Sequence, residues 1–344
     1  MTIRVLRAGL LATVQDLGRP GMQHLAIVPG GVMDAVSHRL ANALVGNDGD
    51  AATLEVALAG PELVFERDAL VAFHGARFEP HLDGVPMPVS RPVLVRAGSQ
   101  VRLGRAVEGA FAYLAVAGGI AVPVVLGSRS TYLPGGFGGL NGRAVTAGVE
   151  LPVAPDAAEL ASVRFAQLAR SGRTVAVGST PATTVRWSCP LLTLPTTHPA
   201  VVRVVDGVHA EFFDKKSRAS FLGERWRVVP ESNRMGYRLS GPTLALAAPR
   251  EIMSQGVCFG TVQVPASGQP IVLMADRQTT GGYPRIAEVV WADIPRVAQV
   301  APGSAAMRFE RVTLGVADAA RGELVQRVND IIERLRWEFG DEVH

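Results

Sequence analysis

The amino-acid sequence predicts a mainly β protein: two related β units, few helices and one helix at the C-terminus. Three observations carry that prediction. Valine-rich runs of four to eight residues alternate with turn residues along a chain that holds 37 glycines and 23 prolines, which favours many short strands over helices. Two pairs of segments echo one another at nearly one spacing: Leu58–Phe65 with Leu239–Leu246, and Arg91–Ala97 with Gln269–Ala275. Gly60 against Gly241 gives an offset of 181 residues and Pro92 against Pro270 gives 178, an agreement that points to duplication. Shared Gly-Pro turns are the competing explanation. Near the end, Leu324, Val328, Ile331, Ile332, Leu335 and Phe339 recur at helical spacing.

Along the chain, strands are predicted at Leu70–Phe73, Val93–Val95, Gln100–Leu103, Ala110–Val116, Val201–Val205, Thr261–Val264 and Pro270–Ala275, each a short apolar or alternating run. One helix is predicted from Asp34 to Val45, capped near Asp34 and stopped by Gly46-Asn47, and another from Asp318 to Phe339. A third, from Asp156 toward Ala169, is expected to serve as a linker. Residues 1–170 then form the first β unit, 171–199 a linker region broken by Pro and Gly, 200–312 the second unit, and 313–344 the C-terminal helix.

With 344 residues, 48% hydrophobic and only 19% charged, the chain can bury a large core. Lys+Arg 34 nearly balances Asp+Glu 31 and no basic run occurs, so no nucleic-acid partner is expected. Cys189 and Cys258 are far apart, and the seven histidines show no HxxxH or HExxH spacing, so neither a disulfide scaffold nor a metal site is expected. Cys258, between Val257 and Phe259, reads as a small buried residue. The chain opens straight into a strand-like segment without a leader pattern, and no apolar stretch reaches the roughly 18 residues of a membrane span. A soluble, cytoplasmic protein with no membrane partner is expected.

The densest polar chemistry is Asp276-Arg277-Gln278-Thr279-Thr280-Gly281-Gly282-Tyr283-Pro284-Arg285, directly after the apolar run that ends at Ala275. Gly281-Gly282 lets the backbone turn or approach a ligand closely, and the competing account is a solvated turn. Between Thr13 and Gly21, either Gln15 and Arg19 hold a ligand carboxylate or carbonyl, or Asp16 and Arg19 simply pair with each other. Asp34, after Gly30-Gly31, reads as a helix cap. The glycine-dense stretch from Leu126 to Arg143 is either an anion cradle or a plain mobile loop; no Lys-Ser/Thr pair closes it as a Walker loop. Around Arg234, and again from Ser254 to Gly260, the neutral amides Asn233 and Gln255 beside glycines suit an amide-type substrate. No Gly-x-Ser-x-Gly elbow occurs, so the polar groups suit positioning and charge stabilisation better than nucleophilic attack.

The ordered motifs TVQDLGRPG (13–21), GGVMD (30–34), LEVALAGPELVF (54–65), LGSRST (126–131), SNRMGYRLSG (232–241) and GTVQVPASGQPIVLMADRQTTGGYPRIAEVV (260–290) resemble one family. It is the biotin-dependent carboxyltransferase-like family, which includes the C-type subunit of 5-oxoprolinase, the Kip antagonist, and the carboxyltransferase half of urea carboxylase, also called allophanate hydrolase subunit 2. The resemblance spans roughly residues 3 to 300.

The resemblance implies two cyclophilin-like β-barrel subdomains and two partners, one a B-like (Kip inhibitor-like) protein and the other an A-like protein of the same enzyme. The chain begins directly in the C-like half, so a complete site is expected to need those partners. Its implied activity is that of the C-type subunit of an ATP-dependent 5-oxoprolinase, opening the lactam of 5-oxo-L-proline to L-glutamate, with ATP and Mg used at the level of the complex. Two alternatives come with the same family: a biotin-dependent carboxyltransferase acting on a urea-like amide, and a non-catalytic antagonist of a kinase-inhibitor homologue. The first reading is favoured because the chain has no Met-Lys-Met biotinylation motif and no carrier segment, Lys215 and Lys216 being its only lysines. The motifs then mark Asp276 as general base, Tyr283 as oxyanion donor, and Arg277 and Arg285 as further catalytic groups. Gln15, Asp16, Arg19, Asn233, Arg234, Gln255, Gln263, Gln278, Thr279 and Thr280 are expected to bind substrate.

Overall fold

A computed structural model describes residues 2–170, 172–303 and 305–340; residue 171 of the expected linker and 341–344 of the expected C-terminal segment lie outside the described residues. The chain divides into two units, one of Met1–Gly18, Asp34–Leu194 and Arg327–His344, the other of Arg19–Met33 and Pro195–Gln326.

Two antiparallel sheets make the first unit. The larger has seven strands in the order Thr174–Ala176, Thr183–Val185, Val93–Val95, Ala69–Phe78, Ala106–Val116, Thr53–Ala57, Leu11–Gln15. The other has six, in the order Glu150–Pro152, Thr2–Arg7, Glu62–Phe65, Gln100–Arg102, His81–Leu82, Val85–Pro86. Val14, Val56, Phe65, Phe73, Val95 and Leu114 share the core. The long pair Ala69–Phe78 and Ala106–Val116 closes tightly at Gly75, where φ is +127° and a Cβ would come within 2.6 Å of the Phe111 carbonyl oxygen. Strands Thr174–Ala176 and Thr183–Val185, inside the stretch read as a linker, extend the seven-stranded sheet beside Val93–Val95.

Helix α1 (Ala35–Ala43) starts as its sequence predicts, with the Asp34 carboxylate accepting from the Ser37 backbone N–H at 2.9 Å. Helix α2 (Ala157–Ala169) packs on strand Ala69–Phe78 and buries Ala157, Ala161 and Leu168. It is part of the unit's body, which corrects the linker expectation: small residues on one face let it lie close to the sheet.

The second unit is a closed seven-stranded barrel in the order Ala200–Asp206, Arg285–Val289, Thr261–Gln263, Ile271–Leu273, Gly236–Ser240, Trp226–Val228, Ala306–Arg311. Closure comes from a parallel pairing in which Ala200 stands opposite Met307. Val202, Trp226, Tyr237, Val262, Val272 and Phe309 are buried. A two-stranded ribbon pairs Gln255–Gly256 with Thr280–Gly281. Two helices here have no counterpart in the sequence expectations. Helix α3 (Lys215–Gly223) is capped by Asp214 on the Ser217 N–H at 2.6 Å and stacks Phe221 on Phe309 with ring centres 4.5 Å apart. Helix α4 (Ile294–Ala298), five residues long, is too short for periodicity to register.

Helix α5 (Leu314–Phe339) buries Val328, Leu335 and Phe339 and half-buries Leu324, Ile331 and Ile332, the stripe that the spacing predicts. No described helix is long and apolar enough to cross a membrane. The mainly β architecture with few helices and a C-terminal helix is therefore as expected. Of the two echoes, Pro92 and Pro270 each precede a three-residue strand, Val93–Val95 and Ile271–Leu273. Gly60-Pro61 precedes a strand, whereas Gly241-Pro242 follows one.

Candidate functional site

In the second unit the strand Ile271–Leu273 runs into Met274, Ala275, Asp276 and Arg277, all buried. The turn at Asn233-Arg234-Met235 zips onto that strand end: Met274 N donates to the Met235 carbonyl at 3.0 Å, and Asp276 N to the Arg234 carbonyl at 2.8 Å. The same two residues meet through their side chains. Arg234 Nε lies 2.8 Å from Asp276 Oδ2 and Nη2 lies 3.0 Å from Oδ1, a two-point pair with the side chains only 5% and 3% exposed. Arg234 Nη2 also donates to the Gly31 carbonyl at 2.5 Å. At Gly30, where φ is +62°, a Cβ would sit 3.3 Å from Arg19 Nη1 and 3.6 Å from Asp276 Oδ1. Gly30 thus lies beside both Arg19 and Asp276, and the Gly31 carbonyl meets Arg234.

Beyond Asp276 the segment is held from several sides. The buried Arg277 donates from Nη1 to the Met274 carbonyl at 3.4 Å and places its guanidinium 5.6 Å from the Phe259 ring centre, and burial makes it easier to deprotonate than usual. Gln278 Nε2 donates to Gln263 Oε1 at 3.3 Å, and Gln263 Nε2 to the Tyr283 carbonyl at 3.4 Å. Gly281 packs close to this amide: a Cβ there would come 2.5 Å from Gln263 Nε2, which would have to move. The ribbon continues into a bond from Val257 N to the Thr279 carbonyl at 3.1 Å, while Thr280 is exposed. Arg285 donates to the Gly256 carbonyl at 3.2 Å and to Gln255 Oε1, and its backbone N–H donates to His209 Nδ1 at 3.2 Å. Tyr283 is 50% exposed, and among the described residues its hydroxyl has no hydrogen-bond partner. Asn233 is exposed and closes its own turn, Oδ1 accepting from Met235 N at 2.8 Å. Cys258 is exposed, contrary to expectation, because Val257 takes the buried position beside it.

Two participants have no place in the expectations from sequence. Glu288 accepts from Thr261 Oγ1 at 2.7 Å, and burial pushes its carboxyl above the usual range. A charged residue inside the apolar run Arg285–Val289 was the available signal. His209, which receives the Arg285 N–H, had none.

Gln15 and Asp16 lie in the first unit. Asp16 Oδ1 accepts from Ser128 Oγ at 2.5 Å, Ser130 Oγ at 2.6 Å and Gly18 N at 2.8 Å, while Oδ2 accepts from Arg129 N at 2.5 Å. The LGSRST motif is thereby accounted for as the clasp of this turn. The glycines that follow pack on themselves: a Cβ at Gly139 would overlap Thr131 Oγ1 at 1.9 Å, and one at Gly142 the Gly136 carbonyl carbon at 1.9 Å. Gln15 is fully buried, with Nε2 donating to Thr13 Oγ1 at 3.0 Å and the Thr131 carbonyl at 3.1 Å. Its Oε1 has no partner among the described residues.

Known proteins resemble this chain along most of its length. The family described as carboxyltransferase domain, subdomain A and B, matches residues 25–311. The C-type subunit of 5-oxoprolinase from Escherichia coli (strain K12) is 37% identical over 340 residues, covering 99% of each chain. Its namesake from Haemophilus influenzae is 38% identical over 335 residues, covering 97% of each. Among solved structures, the urea amidolyase of K. lactis superposes with a TM-score of 0.83 at 29% identity, over 96% of this chain and 20% of that one.

Proposed function

The chain belongs to the carboxyltransferase-domain family, subdomains A and B, and on that premise we propose that it works as the C-type subunit of a 5-oxoprolinase. The single observation that carries this reading is the 37% and 38% identity to two proteins of that name over almost the whole of both chains. In this reading both β units are cyclophilin-like, the enzyme is an ATP-dependent lactam hydrolase, and it acts in the cytoplasm. Activity requires a B-like and an A-like partner.

Opening a five-membered lactam means adding water to a weakly electrophilic amide carbonyl and stabilising the oxyanion that forms. Asp276 is engaged at both oxygens by Arg234, so we assign it to positioning that guanidinium and give it no proton to abstract. Tyr283, half-exposed and with no hydroxyl partner among the described residues, supplies the oxyanion donor. Arg285, with Gln255 beside it, faces the substrate carboxylate, and the Gln263–Gln278 amide pair offers a donor and an acceptor to the lactam amide. Thr279 and Thr280 sit on the ribbon that carries these groups. Among the described residues no three His, Cys, Asp or Glu side chains are grouped to hold a metal ion. In this reading ATP and Mg are used at the level of the complex.

The decisive experiment co-expresses the chain with its A-like and B-like partners and measures ATP-dependent glutamate release from 5-oxoproline. Release is expected from the assembled complex, and none from a soluble, assembled complex overturns the reading. The likeness to a urea amidolyase favours a second reading, carboxyl transfer from carboxybiotin to a urea-like amide. Biotin-dependent incorporation of labelled bicarbonate would select it.

A further inference from the structure

The second unit has a cleft of about 290 Å3 between α3 and the strands Ala200–Asp206, Arg285–Val289 and Ala306–Arg311. None of the residues assigned above to the reaction lines it. Its floor is apolar, with Val204, Ala219, Phe221, Leu222 and Ile286, and its rim is charged, with Lys215, Arg218 and Arg311 against Asp206 and Glu211. The two carboxylates are already met. Arg218 Nη1 lies 2.8 Å from Glu211 Oε2, and Arg311 pairs with Asp206. Among the described residues Lys215 has no carboxylate partner.

One surplus cation beside hydrocarbon calls for one negative charge on an apolar body. A phosphate dianion would bring more charge than one ammonium meets, an ammonium ligand would face three like charges, and a neutral polar molecule would lose hydration on the floor without regaining bonds. We propose that the cleft binds a small apolar monocarboxylate, with the carboxylate on Lys215 Nζ and the hydrocarbon against Phe221, Leu222 and Ile286. The volume stands near the lower end of ordinary ligand pockets, which suits an acid of about six carbons.

The test reads binding and not turnover, so its outcome is independent of the reaction proposed above. In calorimetric titration of the full chain, 4-methylpentanoate is expected to give saturable one-site heat, and 4-methylpentylamine none. Lys215→Gln, an exposed change that leaves the fold intact, should weaken the acid at least about tenfold. Ala219→Trp, which fills the cleft, should abolish its binding while the protein stays folded by melting temperature. If Ala219→Trp does not fold, Lys215→Gln decides alone. The proposal is overturned by absence of saturable heat up to about 10 mM acid, by equal binding of the amine, or by unchanged affinity in Lys215→Gln.

Discussion

Arg234 and Asp276 grip each other at two points, 2.8 and 3.0 Å, where neither side chain is more than 5% exposed, and the backbone of one donates to the backbone of the other. The pair locks the SNRMGYR turn to the strand that delivers the polar segment. Breaking a buried pair from one side costs about 3–5 kcal/mol. Asp276→Asn is therefore expected to lower the melting temperature by on the order of ten degrees, together with loss of glutamate release by the complex. A melting curve that overlays the parent would instead return Asp276 to the role of general base.

Arg285 answers differently. It is half-buried, and its guanidinium donates to the Gly256 carbonyl and to Gln255 Oε1. Arg285→Ala is expected to leave the melting temperature within about two degrees while reducing glutamate release at least about a hundredfold. Arg285→Lys should recover little, because an ammonium cannot reproduce the two-pronged grip. Activity within threefold of the parent, roughly 0.6 kcal/mol, would remove Arg285 from the chemistry.

Asp16 is expected to behave as a structural carboxylate. Its oxygens accept from two serine hydroxyls and two backbone N–H groups. Asp16→Asn replaces an acceptor with a donor amid those donors and should destabilise the first unit by about 2 kcal/mol or more. Ser128→Ala should cost less, about 1 kcal/mol. Chemical denaturation followed in both variants checks the order.

His74 makes the first unit's stability depend on pH. Burial holds its imidazole at about 4, down from 6.5, with Ser90 Oγ at 3.0 Å from Nδ1. The unfolded chain takes up a proton near 6.5 that the folded chain refuses until about 4. Stability from this group is thus full above 6.5 and falls as pH drops toward 4, by about 3 kcal/mol in all. Replacing His74 with Asn should flatten that part of the profile, read as denaturation midpoints at several pH values. An equally steep profile in the variant would assign the dependence elsewhere.

The sequence exposed what depends on local pattern. The Asp34 cap, the buried stripe of α5 and the strand Val93–Val95 follow from residue order alone. It did not expose which guanidinium Asp276 would meet, because Arg277 and Arg285 are nearby in sequence whereas Arg234 arrives from the turn before the strand Gly236–Ser240. The LGSRST stretch misled for the same reason: its hydroxyls look free until Asp16, over a hundred residues earlier, is seen to consume them. Helix α4 went unseen because five residues carry no period.

The parallel pairing of Ala200–Asp206 with Ala306–Arg311 sets an order of events on the ribosome. The strand that emerges first has one neighbour, Arg285–Val289, some eighty residues away and another a hundred away, so the barrel cannot close until nearly the whole chain has been made. Arg19–Met33, synthesised at the outset, joins a unit whose remainder begins at Pro195. High sequence separation of this kind slows folding and prolongs exposure of unpaired strand edges. Truncation before residue 306 should therefore leave a chain that aggregates, the second unit an open, sticky sheet and the first unit without the part of α5 that it buries.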